Sequence, residues 1–189
     1  MFAFKNKYYL IIDNTKDINL NNFIRNHKFI IIYRNSKKPE NLETILNFRK
    51  KCRSYGVLFF VANNIELCSA IRSDGLYISA SNKSFKYLNL KKLNIKLIGS
   101  AHDIRELNTK IKQGCTDIIF SKLFKVDYDL NARILGVIKF NNLINVFTNI
   151  IPLGGIKIDN LNKLRMVRST GIAIMSEVKK KPAISSRLF

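Results

Sequence analysis

The sequence predicts an α/β protein, one compact (β/α)8 barrel of parallel strands alternating with helices. Three observations predict it. Eight short apolar runs recur along the 189 residues, separated by segments with helical spacing. The runs are continuous in Ile, Leu and Phe rather than alternating with polar residues, the pattern of parallel strands covered on both faces. The seventh run, Ile-Ile-Pro-Leu at 150–153, ends in Gly154 and Gly155, and a helical pattern resumes at residue 159. Paired glycines at such a turn let backbone N–H groups close on an anion, and eight-stranded barrels bind phosphate after their last two strands. Two glycines suit a tight turn without a ligand equally well. A closed TIM barrel accommodates eight such units better than an open doubly wound sheet.

The elements follow in order. Residues 8–13 read as the first strand, and 19–27 as a helix with Leu20, Phe23 and Ile24 at helical spacing. Residues 28–34 form the second strand, and Pro39 opens a helix carried on by Leu42, Ile45, Leu46 and Arg49. Gly56 ends it before a third strand at 57–62. Asn63 and Asn64 lead into a helix through Leu67, Ala70 and Ile71, and a short fourth strand spans 75–79. A modest helix at 85–93 precedes the fifth strand, 96–100. Asp103 with Glu106 reads as a capping box for a helix ending at Gly114. The sixth strand is 117–121, residues 130–147 are apolar and largely helical, 161–167 are a helix, and 171–176 are the eighth strand. The barrel thus occupies 1–176, and 177–189 is a basic tail in which the last helix is truncated or replaced by an arm. The chain is shorter than the ~250 residues usual for this architecture, so its loops must be tight.

Composition sets the broad class. A hydrophobic content of 47% suits a globular protein, and no apolar run reaches the ~18 residues of a membrane span. The start of the chain lacks a signal-like apolar core, and Cys52, Cys68 and Cys115 form no paired motif. Reduced thiols and a cytoplasmic location are the expectation. The net charge of +20 is spread along the chain, in runs such as Lys37-Lys38, Lys50-Lys51 and Lys91-Lys92. Abundant Lys, Asn and Ile with no Trp reads as the codon bias of an AT-rich genome rather than a nucleic-acid surface. A homo-oligomer stays open.

In a barrel the loops after the strands carry function. Those positions hold Arg34, Asn35, Ser36, Lys37 and Lys38, then Asn63 and Asn64, then Ser79, Ser81 and Asn82. Further on come Ser100 and His102, Ser121, Lys122 and Lys125, then Gly154, Gly155 and Ser176. Donors and cations dominate and carboxylates are scarce, which suits an anionic ligand and suits Mg²⁺ badly.

The segments 9–13 (Tyr-Leu-Ile-Ile-Asp), 60–64 (Phe-Val-Ala-Asn-Asn), 74–78 (Asp-Gly-Leu-Tyr-Ile) and 98–102 (Ile-Gly-Ser-Ala-His) stand in a characteristic order. They are followed by 114–124, 153–156 (Leu-Gly-Gly-Ile) with Asn160, and 171–176 (Gly-Ile-Ala-Ile-Met-Ser). In order and spacing the chain resembles the thiamine phosphate synthase and thiazole tautomerase superfamily over nearly its whole length. The resemblance implies a barrel that joins a hydroxymethylpyrimidine pyrophosphate to a thiazole phosphate and releases pyrophosphate, or a relative that isomerises the thiazole. It places Gly154, Gly155, Met175 and Ser176 at the thiazole phosphate. It places Arg34 and Lys37 with Asn63, Asn64 and Asn82 around the pyrophosphate, and Ser100 near the pyrimidine. The chain departs from the pattern in several places. The family's Gln falls on Ile32, its Lys on Ser36, and its two Mg²⁺-binding aspartates on Asn64 and Asn82. Lys122 falls about where the tautomerases carry a catalytic histidine. The expectation is therefore small phosphorylated heterocycles as partners and no metal, with Arg34, Lys37 or Lys38, and Lys122 clamping the leaving group. The alternatives are a tautomerase-like isomerase with Lys122 as base, a barrel that binds a phosphorylated ligand without turnover, and an RNA-binding protein.

Overall fold

The computed structural model describes residues 5–22, 29–35, 40–93, 95–127, 129, 131 and 133–175. Eight parallel strands appear in it: β1 Lys7–Ile12, β2 Phe29–Tyr33, β3 Leu58–Ala62, β4 Gly75–Ile78, β5 Lys96–Ala101, β6 Asp117–Ser121, β7 Ile150–Leu153 and β8 Gly171–Ile174. They pair in the order β7-β6-β5-β4-β3-β2-β1-β8. β7 and β8 lie side by side, so the sheet comes round nearly to closure. At that seam Ser169 Oγ lies 2.8 Å from the carbonyls of both Ile150 and Gly171 and donates to one or the other.

Alternation along the strands divides the core into two layers. Tyr9, Ile11, Ile30, Ile32, Phe60, Tyr77, Ile98, Ile119, Ile151 and Ala173 fill the barrel interior. Their neighbours, among them Tyr8, Leu10, Ile31, Phe59, Leu76 and Ile118, lie under the helices. Both faces are apolar, which is why the strands read as unbroken runs. At the lower end Lys7 Nζ approaches Asp117 at 3.4 Å.

The five α-helices among the described residues are α1 Leu42–Ser54, α2 Ile65–Ala70, α3 Ile104–Lys112, α4 Gly136–Val146 and α5 Leu161–Arg165. Local chemistry sets their ends. Asn41 caps α1 by accepting from Glu43 N at 3.1 Å, so the helix starts at Leu42, while Pro39 lies outside the described residues. Asp103 accepts from Glu106 N at 2.8 Å, as a capping box requires. The returning Glu106 carboxylate takes His102 N at 2.7 Å, one residue earlier than the standard box. Gly56 at φ +68 and Gly114 at φ +81 follow α1 and α3 in the left-handed conformation.

Four elements differ from the sequence reading. Residues 15–17 and 20–22 form 3-10 turns, and the rest of the expected 19–27 helix lies outside the described residues. Residues 88–93 are a 3-10 helix rather than an α-helix. Among the described residues of the 130–147 segment only Gly136–Val146 is helical, because the chain just before it folds back on the strand-six loop. There Leu135 N donates to Lys122 O at 3.0 Å and Gly136 N to Leu123 O at 2.9 Å. The helix read at 161–167 ends at Arg165. The tail 177–189 lies outside the described residues.

Burial pushes the Cys52 and Cys115 thiols up to about 12, so both are neutral thiols at physiological pH. No described helix is long and apolar enough to cross a membrane.

One polar cluster ties helix layer to sheet. Arg49, 8% exposed, places Nη2 2.8 Å from Asp74 Oδ1, and Asp74 Oδ2 accepts from Phe59 N at 2.7 Å. Exchanging Asp74 for Ala strands a buried guanidinium and an amide together. Chemical denaturation is expected to show a loss of about 2 kcal/mol, and an unchanged midpoint would contradict this account.

Candidate active site

The interior alternation carries on past the strand ends and decides what faces the mouth. Two residues beyond interior Ile32 comes Arg34; beyond Ile98 come Ser100 and His102; beyond Ile119, Ser121; beyond Ala173, Met175. Ile32 itself is fully buried inside the barrel, so an apolar side chain stands there.

Arg34 reaches across the mouth, with Nη2 3.4 Å from Met175 Sδ on the far side of β1. No carboxylate pairs with it among the described residues. Tyr77 rises from β4 between Arg34 and Ser100. Burial raises its phenol pKa; hydrogen bonding to Ser100, and the charge and hydrogen bond of Arg34, oppose that rise. Arg34, Tyr77 and Ser100, drawn from three strands, therefore stand together at the mouth, close enough to act on one another electrostatically.

A second pair closes the next sector. Ser121 Oγ and His102 Nδ1 are 2.7 Å apart, joining the ends of β6 and β5. The sequence reading set His102 and Ser121 among the strand-end positions but did not pair them. What could place each is parity: His102 with interior Ile98, and Ser121 with interior Ile119.

The loops after β3 and β4 interlock. Asn63, at φ +55, donates from Nδ2 to Ser79 Oγ at 2.9 Å. Its Oδ1 accepts from Ser79 N at 3.0 Å and from Asn82 Nδ2 at 3.1 Å. Asn64 is not part of this rim, because its Oδ1 accepts from Leu67 N at 2.8 Å and caps α2. Asn82 Oδ1 accepts from Ser84 N at 3.0 Å. The two positions that the resemblance assigns to Mg²⁺ thus hold uncharged amides whose oxygens are already engaged. They do not fit a divalent ion, which prefers carboxylate oxygens. Among the described residues no three His, Cys, Asp or Glu side chains group to hold a metal.

The Gly154–Gly155 turn is crowded by protein. Both glycines have positive φ, +101 and +65. A Cβ on Gly155 would lie 2.2 Å from Lys125 O, and one on Gly154 would lie 3.1 Å from Lys122 Cα. Phe124 N donates to Gly154 O at 3.0 Å, and Asn160 Nδ2 to Gly155 O at 2.6 Å. The strand-six loop therefore demands these glycines for steric reasons. Lys122 Nζ lies 2.6 Å from Asp129 Oδ2, so its charge is turned to a carboxylate neighbour. Lys37, Lys38 and Ser176 lie outside the described residues.

Comparison with known proteins agrees with this geometry. Residues 8–178 match the family described as thiamine monophosphate synthase. The chain is 27% identical over 154 residues to the thiamine-phosphate synthase of Prochlorococcus marinus, a match covering 79% of this chain and 44% of that protein. It is 26% identical over 148 residues to the thiamine-phosphate synthase of Methanococcus vannielii, covering 77% and 71%. Among solved structures, the thiamine phosphate pyrophosphorylase of Pyrococcus furiosus superposes with a TM-score of 0.76 at 19% identity, covering 97% of this chain and 93% of that one. The phosphoribosyl anthranilate isomerase of Thermotoga maritima superposes at 0.70 with 13% identity, which marks a shared barrel architecture. By the family match over most of its length, this chain belongs to the thiamine monophosphate synthase family.

Proposed function

We propose that the chain is a thiamine phosphate synthase: a transferase joining a hydroxymethylpyrimidine pyrophosphate to a thiazole phosphate. The carrying observation is the half-buried Arg34 guanidinium, without a carboxylate partner among the described residues, set at the mouth against Met175 and close to Tyr77 and Ser100. A cation so placed attracts an anionic ligand, and its planar donors suit phosphate oxygens.

In this reading the pyrophosphate lies under Arg34, next to the Asn63–Asn82 rim. The C–O bond of the pyrimidine methylene breaks and its electron pair leaves with the pyrophosphate. The thiazole nitrogen then donates its lone pair to that carbon, forming the new C–N bond. The main demand is stabilisation of the departing anion. Arg34 meets it directly, and Lys37 or Lys38 would add to it from the same loop. Ser100, beside Tyr77, lines the pyrimidine side, while Gly154, Gly155, Met175 and Ser176 bound the thiazole phosphate.

The tautomerase-like alternative needs Lys122 as a base, but its Nζ is engaged by Asp129 Oδ2 at 2.6 Å. The test is direct. Purified chain with both substrates is expected to form thiamine phosphate and pyrophosphate in equal amounts, read by mass spectrometry and a pyrophosphate assay. Binding of the thiazole phosphate with no coupled product would favour a binding role instead. Salt-sensitive binding of unrelated RNA with no product would favour the nucleic-acid reading.

A further inference from the structure

One buried ionisable group has no part in the chemistry above. Lys110, on α3, is 0% exposed, a burial that lysine rarely reaches. Its stem packs against β5, where a Cβ on Gly99 would lie 3.0 Å from Lys110 Cβ. Its Nζ donates to Asn82 O at 2.6 Å and to Gln113 Oε1 at 2.9 Å. Gln113 Nε2 donates in turn to Asn82 O at 3.0 Å and to Ser84 O at 2.8 Å. The loop after β4 is thereby fastened to α3, and through Asn82 Nδ2 and Asn63 Oδ1 the fastening extends to the loop after β3. Burial lowers the Lys110 pKa, while the Glu106 carboxylate favours the charged form. An apolar side chain of similar size would fill this space without the cost of desolvating a charge. The ammonium therefore calls for a reason beyond packing.

We propose that Lys110 is an internal cation of the anion site, sealed beneath Asn82, which draws the diphosphate group to the Asn63–Asn82 rim without touching it. This rests on the assignment of that rim to the diphosphate. Such a charge acts through protein rather than water, so it reaches further and is screened less by salt than a surface lysine. It supplies from inside the fold a positive potential that a metal ion would otherwise supply from the ligand side.

The probe is inorganic pyrophosphate, titrated by calorimetry into the full chain in excess chelator. Lys110→Gln keeps a donor for the Asn82 carbonyl but removes the charge, and is expected to weaken binding about tenfold. Lys110→Arg is expected to stay within about twofold of the native chain, since it keeps the charge. A melting point lowered in Lys110→Gln with affinity unmoved assigns a structural role alone and overturns the proposal, leaving the diphosphate reading standing. Failure of the native chain to bind pyrophosphate overturns both. A second measurement needs no variant. Coupling is reciprocal, so the Lys110 pKa, followed by NMR of the lysine side chains in the native chain, is expected to rise by about 1 when pyrophosphate binds. An unchanged value overturns the proposal.

Discussion

Replacing Arg34 with Ala is expected to lower kcat/KM of the coupling reaction by about 10²–10³. The side chain lies close to Tyr77 and Ser100 and reaches Met175, which fixes its charge at the mouth. Its charge is half-buried, and in the proposed reaction it faces the leaving group as negative charge gathers there. Its removal therefore costs more in the transition state than in substrate binding. Affinity for inorganic pyrophosphate is expected to fall, while affinity for the thiazole phosphate alone stays near native. Arg34→Lys is expected to recover part of the loss, because the charge returns but the planar fork does not. Steady-state kinetics with calorimetry separate these effects. An Arg34→Ala chain with native pyrophosphate affinity would remove this residue from the site.

Gly155→Ala is expected to destabilise the fold by about 4 kcal/mol, combining left-handed strain with a backbone clash. In a chain of this size that lowers the melting temperature by about 10 °C. The clash partner is the Lys125 carbonyl at 2.2 Å, with Phe124 O at 2.7 Å, and neither belongs to a flexible side chain. Gly136 provides the control. It shares the conformation, φ +67, but nothing lies within 4 Å of its added Cβ. Gly136→Ala is expected to cost only about 1 kcal/mol. Equal melting temperatures for the two variants would show that the turn at Gly155 yields easily.

Much of the fold was legible because both faces of each strand are buried, which makes the strands the most apolar stretches of the chain. Their ends were read a residue or two long where polar site residues follow, as at Asp13, Arg34 and Ser79. The 130–147 helix was read too long because apolar content was taken for periodicity, and the fold-back at Leu135 and Gly136 leaves no local mark. The Gly154–Gly155 turn was visible, but not its steric demand, since Lys125 lies thirty positions earlier in sequence. The Ser121–His102 pair joins two separate units and has no spacing to reveal it. Lys110 was open to detection: it stands three residues after buried Leu107 on α3, on the face that packs inward.

In the proposed reaction protein cations, rather than magnesium, steady the departing pyrophosphate. The decisive measurement is the rate of thiamine phosphate formation with excess Mg²⁺ and with excess chelator. Equal rates are the predicted result; product that appears only with Mg²⁺ would contradict the reading of Asn64 and Asn82, and with it the cationic clamp.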